Sequence, residues 1–238
     1  MNAAVAYGDS GAFLLGARLP IGRPFEPTRE RHLLPGVRSA ALAVSRKDRR
    51  IILLPELQGP YGVVDLALLE TDDAVLADRL ALGVPPLLNQ LDAAIVASLA
   101  VLQPRSLSTI ACRLHWPERH LVTRIEQLRR IGAVERLPSG CFVRPNGLQP
   151  LGHLSAYEAK VTDWRRGLYQ AATYATWADE STLAAGRLPR DPSRALAMAA
   201  ELRLGVIADG VWWRRAERQQ LLPQTRLWAS EYVVASLS

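Results

Sequence analysis

A chain of 238 residues allows one large domain or two modest ones, and 49% hydrophobic with 22% charged residues excludes a disordered polypeptide. No run of 18 or more apolar residues occurs, which argues against a membrane-spanning helix, and the N-terminus lacks the basic lead-in of a signal peptide. A net charge of +6 with a pI near 9.8 favours a polyanionic partner, while two cysteines, Cys112 and Cys141, suit the reducing cytoplasm and are too few for a metal cluster.

Residues 1–30 carry Gly and Pro often and contain only short apolar pieces such as Ala12 to Leu15, with no element assigned. His32 to Val44 is mostly apolar around Pro35-Gly36 and reads as a helix or a strand packed on the elements after it. Arg46-Lys47-Asp48-Arg49-Arg50 is a charged turn, by default a solvated loop and otherwise a phosphate contact. Arg50 to Leu57 and Val63 to Glu70 then form a hairpin around the Gly- and Pro-containing segment 58–62. The second strand is apolar except for Asp65, and a buried carboxylate is costly unless it is paired or holds a metal. Asp65 therefore needs a partner, unless it sits near the strand's start and caps the turn. Glu56, at the end of the first strand, is a second carboxylate the hairpin can bring near. Thr71 to Leu82 predicts a helix with Thr71 or Asp72 at its N-cap, and Gly83-Val84-Pro85-Pro86 breaks it at a candidate domain boundary.

Residues 87–147 differ in character. Helices are predicted over Asp92 to Leu102, Ser106 to Leu114 and Glu118 to Ile131, with Ser106 capping the second and Gly132 ending the third. Ala133 to Leu137 and Cys141 to Arg144 follow as a small hairpin. Three helices and a two-stranded wing resemble the winged helix-turn-helix family, whose third helix enters the major groove while the wing touches backbone. Eight arginines against four acidic residues in this stretch support phosphate contact, although winged helices also serve as protein-docking modules. Arg119, His120, Thr123, Arg124 and Gln127 lie off the apolar stripe of the third helix and are the groove-facing candidates, with Arg136 on the wing.

After Pro145-Asn146-Gly147, Leu154 to Val161 alternates and reads as a strand, and Thr162 to Tyr174 has helical spacing. Residues two apart share a strand face, so Glu158 and Lys160 point the same way. Lysine occurs in this chain at Lys47 and Lys160, and arginine supplies the other 27 of 29 basic residues. Lys160 is thus either a chance surface lysine or a site where a compact, tunable point charge serves and the broad guanidinium does not. Gln170 and Tyr174, four apart, share a helix face. Ser181 to Ala185 is a strand candidate, Pro192 to Leu204 a helix, 206–208 and 211–215 a hairpin around Asp209-Gly210, and Thr225 to Leu237 a helix.

Asp65, then Glu158-Ala159-Lys160, then Gln170-x-x-x-Tyr174, each on its proper element, resemble the PD-(D/E)xK nuclease superfamily. The resemblance covers roughly residues 30–86 and 148–216. It implies an α/β fold, a restriction-endonuclease-like mixed sheet flanked by helices, with a winged-helix domain inserted. The nuclease core would then occupy 1–86 and 148–238, with the insertion over 87–147. The chain departs from the pattern in having no proline before Asp65 and no evident acidic residue in the first helix. Glu30 is a poor candidate there, with Glu56 as a substitute. The implied activity is hydrolysis of DNA phosphodiester bonds with Mg²⁺ or Mn²⁺ held by Asp65, Glu158, the Ala159 carbonyl and, as substitute, Glu56. Lys160 would orient the attacking water, and Gln170 and Tyr174 would line the substrate side. Double-strand cleavage by such folds usually needs two active sites, which allows a homodimer. The alternative is a transcriptional regulator or DNA-structure sensor whose nuclease-like domain binds without cutting.

Overall fold

The computed structural model describes residues 5–8, 11–12 and 29–237. The chain divides into two compact units, Met1–Thr71 with Gly152–Leu221 and Asp72–Leu151 with Leu222–Ser238. The first unit opens with β1 (Val5–Gly8), β2 (Gly11–Ala12), α1 (Leu34–Leu42) and the hairpin β3 (Arg50–Gly59) and β4 (Gly62–Thr71). The second contributes α2 (Asp73–Ala81), α3 (Gln90–Ser98), α4 (Leu107–Leu114), α5 (Glu118–Arg130) and the ribbon β5 (Glu135–Arg136) and β6 (Phe142–Val143). The chain returns to the first unit for β7 (Gly152–Lys160), α6 (Trp164–Tyr174), β8 (Glu180–Ala185), α7 (Ser193–Glu201), β9 (Gly205–Ala208) and β10 (Val211–Arg214). It ends in the second with α8 (Pro223–Leu237).

The first unit is a mixed α/β structure on a sheet ordered β10-β9-β8-β7-β4-β3-β1-β2. The pairs β7–β8 and β8–β9 are parallel and the others antiparallel. Each parallel pair is joined by a crossover helix, α6 and then α7, because parallel neighbours cannot be linked by a tight turn. Strand alternation sorts the side chains into two cores. Leu53, Leu66, Leu68, Tyr157, Ala184 and Ile207 pack with Val37, Ala40 and Ala41 of α1. Leu183, Ala185 and Val206 pack with Leu168 and Ala171 of α6 and Ala199 of α7. Tyr157 goes to the α1 face, so its neighbour Glu158 faces α6. The β3–β4 ladder runs on to Gly59↔Gly62, so the turn is two residues, Pro60-Tyr61, rather than the expected five. Gly62 makes this possible at φ 134, a region closed to side-chain-bearing residues.

The helical unit is larger than the expected 87–147 segment. Its core joins Ile95, Val96, Ile110, Leu121, Ile125 and Leu128 to Val134, Phe142 and Leu227. Helix α8 packs through Leu227 into this core, and a buried ion pair ties α2 to α8. Arg79 of α2 donates from Nε and Nη2 to both carboxylate oxygens of Glu231 on α8, at 2.9 and 2.6 Å. Glu231 also accepts the Leu87 N–H, and Arg79 reaches the Val84 carbonyl, so the two chain ends of the unit are closed on each other. The helix predicted over Asp92 to Leu102 starts earlier, where the Asn89 side chain caps Leu91 and Asp92, and its last helical residue is Ser98. Residues 1–30, to which the sequence assigns no element, supply β1 and β2 and the start of a 3-10 turn at Glu30–His32; residues 13–15 of the apolar piece lie outside the described residues. Among the described residues no helix is long and apolar enough to cross a membrane.

Candidate functional site

A cleft of about 420 Å³ in the first unit is lined by Glu30, Val63, Asp65, Glu158, Lys160, Asp163, Arg166 and Gln170. It forms where the β4–β7 ladder stops. Pairing runs from Thr71↔Gly152 to Leu66↔Tyr157, and at the next position Asp65 replaces the backbone acceptor, taking the Ala159 N–H on Oδ2 at 2.7 Å. Asp65 thus has the partner that its place in an apolar strand required. Glu158 and Lys160 share the face that alternation predicted, and their side chains meet at 2.6 Å. The Lys160 ammonium also contacts Glu30 Oε1 at 2.8 Å and donates to the Ala159 carbonyl at 3.0 Å. Three oxygens therefore surround one ammonium.

Helix α6 backs this arrangement. Asp163 caps its N-terminus by accepting the Arg166 N–H. Gly167 lets the helix lie against the Lys160 stem, since a Cβ there would come within 2.8 Å of Lys160 Cγ. Tyr174 is buried, not a lining residue; its hydroxyl lies 2.9 Å from Glu158 Oε2 and 2.8 Å from the Val63 carbonyl. It fixes the carboxylate from behind. Gln170 does line the cleft, and its buried Oε1 has no hydrogen-bond partner among the described residues. The carboxylate facing Lys160 from outside the two motifs is Glu30, carried by the 3-10 turn ahead of α1. Glu56, the expected substitute, is exposed at a left-handed backbone position (φ 50) and is not among the lining residues. It reaches Asp65 through its charge.

The electrostatics of the cleft favour added positive charge. Burial pushes the Asp65 carboxyl up, and the Ala159 N–H and Lys160 offset this only in part. Burial likewise pushes Glu158 up, with the Asp65 charge adding to it against the Lys160 hydrogen bond. Burial alone would lower the Lys160 ammonium, but its hydrogen bonds to Glu158 and Glu30 prevail and raise it. Burial and the Glu158 charge raise the Tyr174 phenol, keeping it a donor. All of these shifts hold protons on, as expected where three carboxylates face one ammonium.

The donor set of Asp65, Glu158, Glu30 and the Ala159 carbonyl is all oxygen, which fits a hard divalent cation. Among the described residues no three His, Cys, Asp or Glu side chains are already arranged around an ion position. In this arrangement Lys160 takes three of those oxygens itself.

In the second unit, Arg119, His120, Thr123 and Gln127 are exposed on α5 and Arg136 is exposed on β5. Arg124 differs from its neighbours: it is half-buried and bound to Asp92 of α3 at 2.7 Å, so it ties α5 to α3. Arg144, one of the eight arginines of this stretch, also turns inward, donating to the Leu99 carbonyl and to that of Leu148. Sequence reasoning passes over Glu30 and does not anticipate Asp163 or Arg166. Glu30 carries no local signal, whereas Arg166 stands four residues before Gln170 and shares its helix face. No family model matches the chain, and neither does any curated protein or any solved structure.

Proposed function

We propose that the protein is a metal-dependent nuclease of the PD-(D/E)xK type, with a restriction-endonuclease-like sheet unit and a winged-helix unit that engages duplex DNA. The observation that carries this reading is the meeting of Asp65, Glu158, Lys160 and Glu30 in one open cleft, with Gln170 on its wall and Tyr174 behind Glu158. Asp65, Glu158 and the Ala159 carbonyl would hold Mg²⁺ or Mn²⁺, with Glu30 in the place first given to Glu56. When bound, such an ion polarises the scissile phosphate and lowers the pKa of a water.

The chain's own residues do the rest. The Ala159 N–H holds Asp65 in place, and Tyr174 holds Glu158. Lys160 orients the water and faces the negative charge that grows on the phosphate as the water adds to phosphorus and a P–O ester bond breaks. The leaving oxygen takes up a proton. In the second unit, helices α3, α4 and α5 and the β5–β6 ribbon succeed one another along the chain, with Arg105, between α3 and α4, bridged to Phe142 of β6, and this order supports the winged-helix reading. The exposed Arg119, His120, Thr123, Gln127 and Arg136 would meet the duplex.

A second reading, a DNA-binding regulator that does not cut, is favoured by one contact set: the Lys160 ammonium already occupies oxygens of Glu30 and Glu158 that a metal ion would need. Incubation of supercoiled plasmid with Mg²⁺ or Mn²⁺ separates the two. Cleavage by the wild type, lost in Glu158→Ala and Lys160→Ala, is the expected result. No cleavage by any of them, with tight duplex binding retained, would establish the regulator.

A further inference from the structure

Arg165 and Arg166 are adjacent, exposed and of the same chemistry, yet they are placed differently. The Arg165 guanidinium lies over the Trp164 ring, 4.8 Å from its centroid. Arg166 lines the cleft, and no hydrogen-bond or ion-pair partner of its guanidinium is found among the described residues. An arginine on the wall of an acidic cleft would be expected to pair with a carboxylate there. Glu30 and Glu158 are instead taken by Lys160, Asp65 by the Ala159 N–H, and Asp163 by the Arg166 backbone N–H. Among the described residues the guanidinium is left with its donors unused. One turn further along the same face, Gln170 lines the same cleft with a buried amide oxygen that has no partner among the described residues. A cleft with carboxylates at its floor and a planar cation on its wall suits a ligand that is anionic at one edge and approaches the carboxylates through a cation.

We propose that Arg166 is the substrate-binding residue that grips a non-bridging oxygen of the phosphodiester in the cleft, with Gln170 hydrogen-bonding beside it; this rests on the nuclease reading above. The forked guanidinium binds phosphate by two parallel bonds, which a lysine does not reproduce. Arg165 stays outside the contact and serves as an internal control.

The test uses the full chain and a duplex oligonucleotide. First, phenylglyoxal labelling with peptide mapping compares Arg165 and Arg166 with and without the oligonucleotide in Ca²⁺. Second, KM and kcat for Mg²⁺-dependent cleavage are measured for wild type, Arg166→Gln, Arg166→Lys and Arg165→Gln. Selective protection of Arg166 is expected, together with a KM raised about 10- to 100-fold in Arg166→Gln, the loss of one charge-assisted hydrogen-bonding group. Arg166→Lys should recover part of that loss, and Arg165→Gln should match wild type. A wild type that cleaves while Arg166→Gln keeps its KM and Arg166 stays unprotected overturns this assignment and leaves the nuclease reading intact. A wild type that does not cleave overturns both.

Discussion

The molecule contains two clusters of opposite charge that are built to different ends. In the helical unit, Arg79 and Glu231 are sealed from solvent at 1% and 0% exposure, matched one to one, and Glu231 carries a backbone N–H as a further partner. In the sheet unit, Glu30, Asp65 and Glu158 share Lys160, the cluster opens into a cleft, and the Asp65 and Glu158 carboxyls are pushed up. The first cluster is complete as it stands. In the second, among the described residues, three carboxylates share one ammonium. A matched buried pair acts as a structural fastening, whereas an unmatched cluster in a cleft is a candidate for a binding site.

The comparison breaks most readily at Arg79. Removing one partner of a buried pair strands the other, so Arg79→Ala should destabilise the protein by about 3–5 kcal/mol. Equilibrium urea denaturation measures this directly. A loss within the range of an ordinary surface pair would mean that the contact is not the fastening of α2 to α8. In the cleft, an isosteric amide should act in the opposite direction. The folded-state pKa of Glu158 is raised above its ordinary 4.5, so the native state binds the proton more readily than the unfolded chain does. The charged form then opposes folding at pH values above the raised pKa. That opposition fades as the pH falls through the window and is gone below the ordinary value. Glu158→Gln should therefore raise the thermal midpoint at about pH 8 and match wild type near about pH 4. Glu231→Gln should lower the midpoint at both. If both variants destabilised equally, the cleft would be a second fastening and not a binding site.

The same contrast decides what can be read from the sequence. Glu158 with Lys160, and Gln170 with Tyr174, lie on single elements whose periods of two and about four place side chains locally, so each pairing follows from spacing, whereas the joining of Asp65 to them is what the family resemblance implies. Glu30 comes from a turn 128 residues before Glu158, and that distance leaves no pattern to read. Glu231 is hidden for a related reason. Helix α8 buries Leu227, Trp228, Ala229, Ser230, Glu231, Val233 and Val234, too many adjacent positions to give an amphipathic stripe. Nothing in it advertises a partner at Arg79. The mixed sheet is legible as strands and helices, but the residence of α2 and α8 in the helical unit depends on contacts between residues 152 apart. The groove-facing set comes from the helix wheel of α5, which separates apolar from polar positions. The wheel does not say that one polar position faces Asp92 on another helix.

Arg124 and Arg119 carry the comparison to its smallest scale, because one is held by an acidic partner across α3 and α5 and the other faces outward. The Arg124–Asp92 pair is half-exposed, so its loss in Arg124→Ala should lower stability by about 0.5–1 kcal/mol. Its charge is already matched, so duplex binding by that variant should keep the wild-type dependence on salt. Arg119→Ala should do the reverse. Stability should be unchanged, and the slope of log affinity against log salt should fall by about 0.9, the release of one counterion from B-form DNA. Fluorescence anisotropy over a salt series reads both slopes. Equal slopes for Arg119→Ala and wild type would remove α5 from the duplex interface, because an outward, unmatched arginine that neutralises no phosphate is not at the groove. A reduced slope in Arg124→Ala would show that the Asp92 contact opens on binding, and that this arginine is lent to the helix packing until DNA arrives.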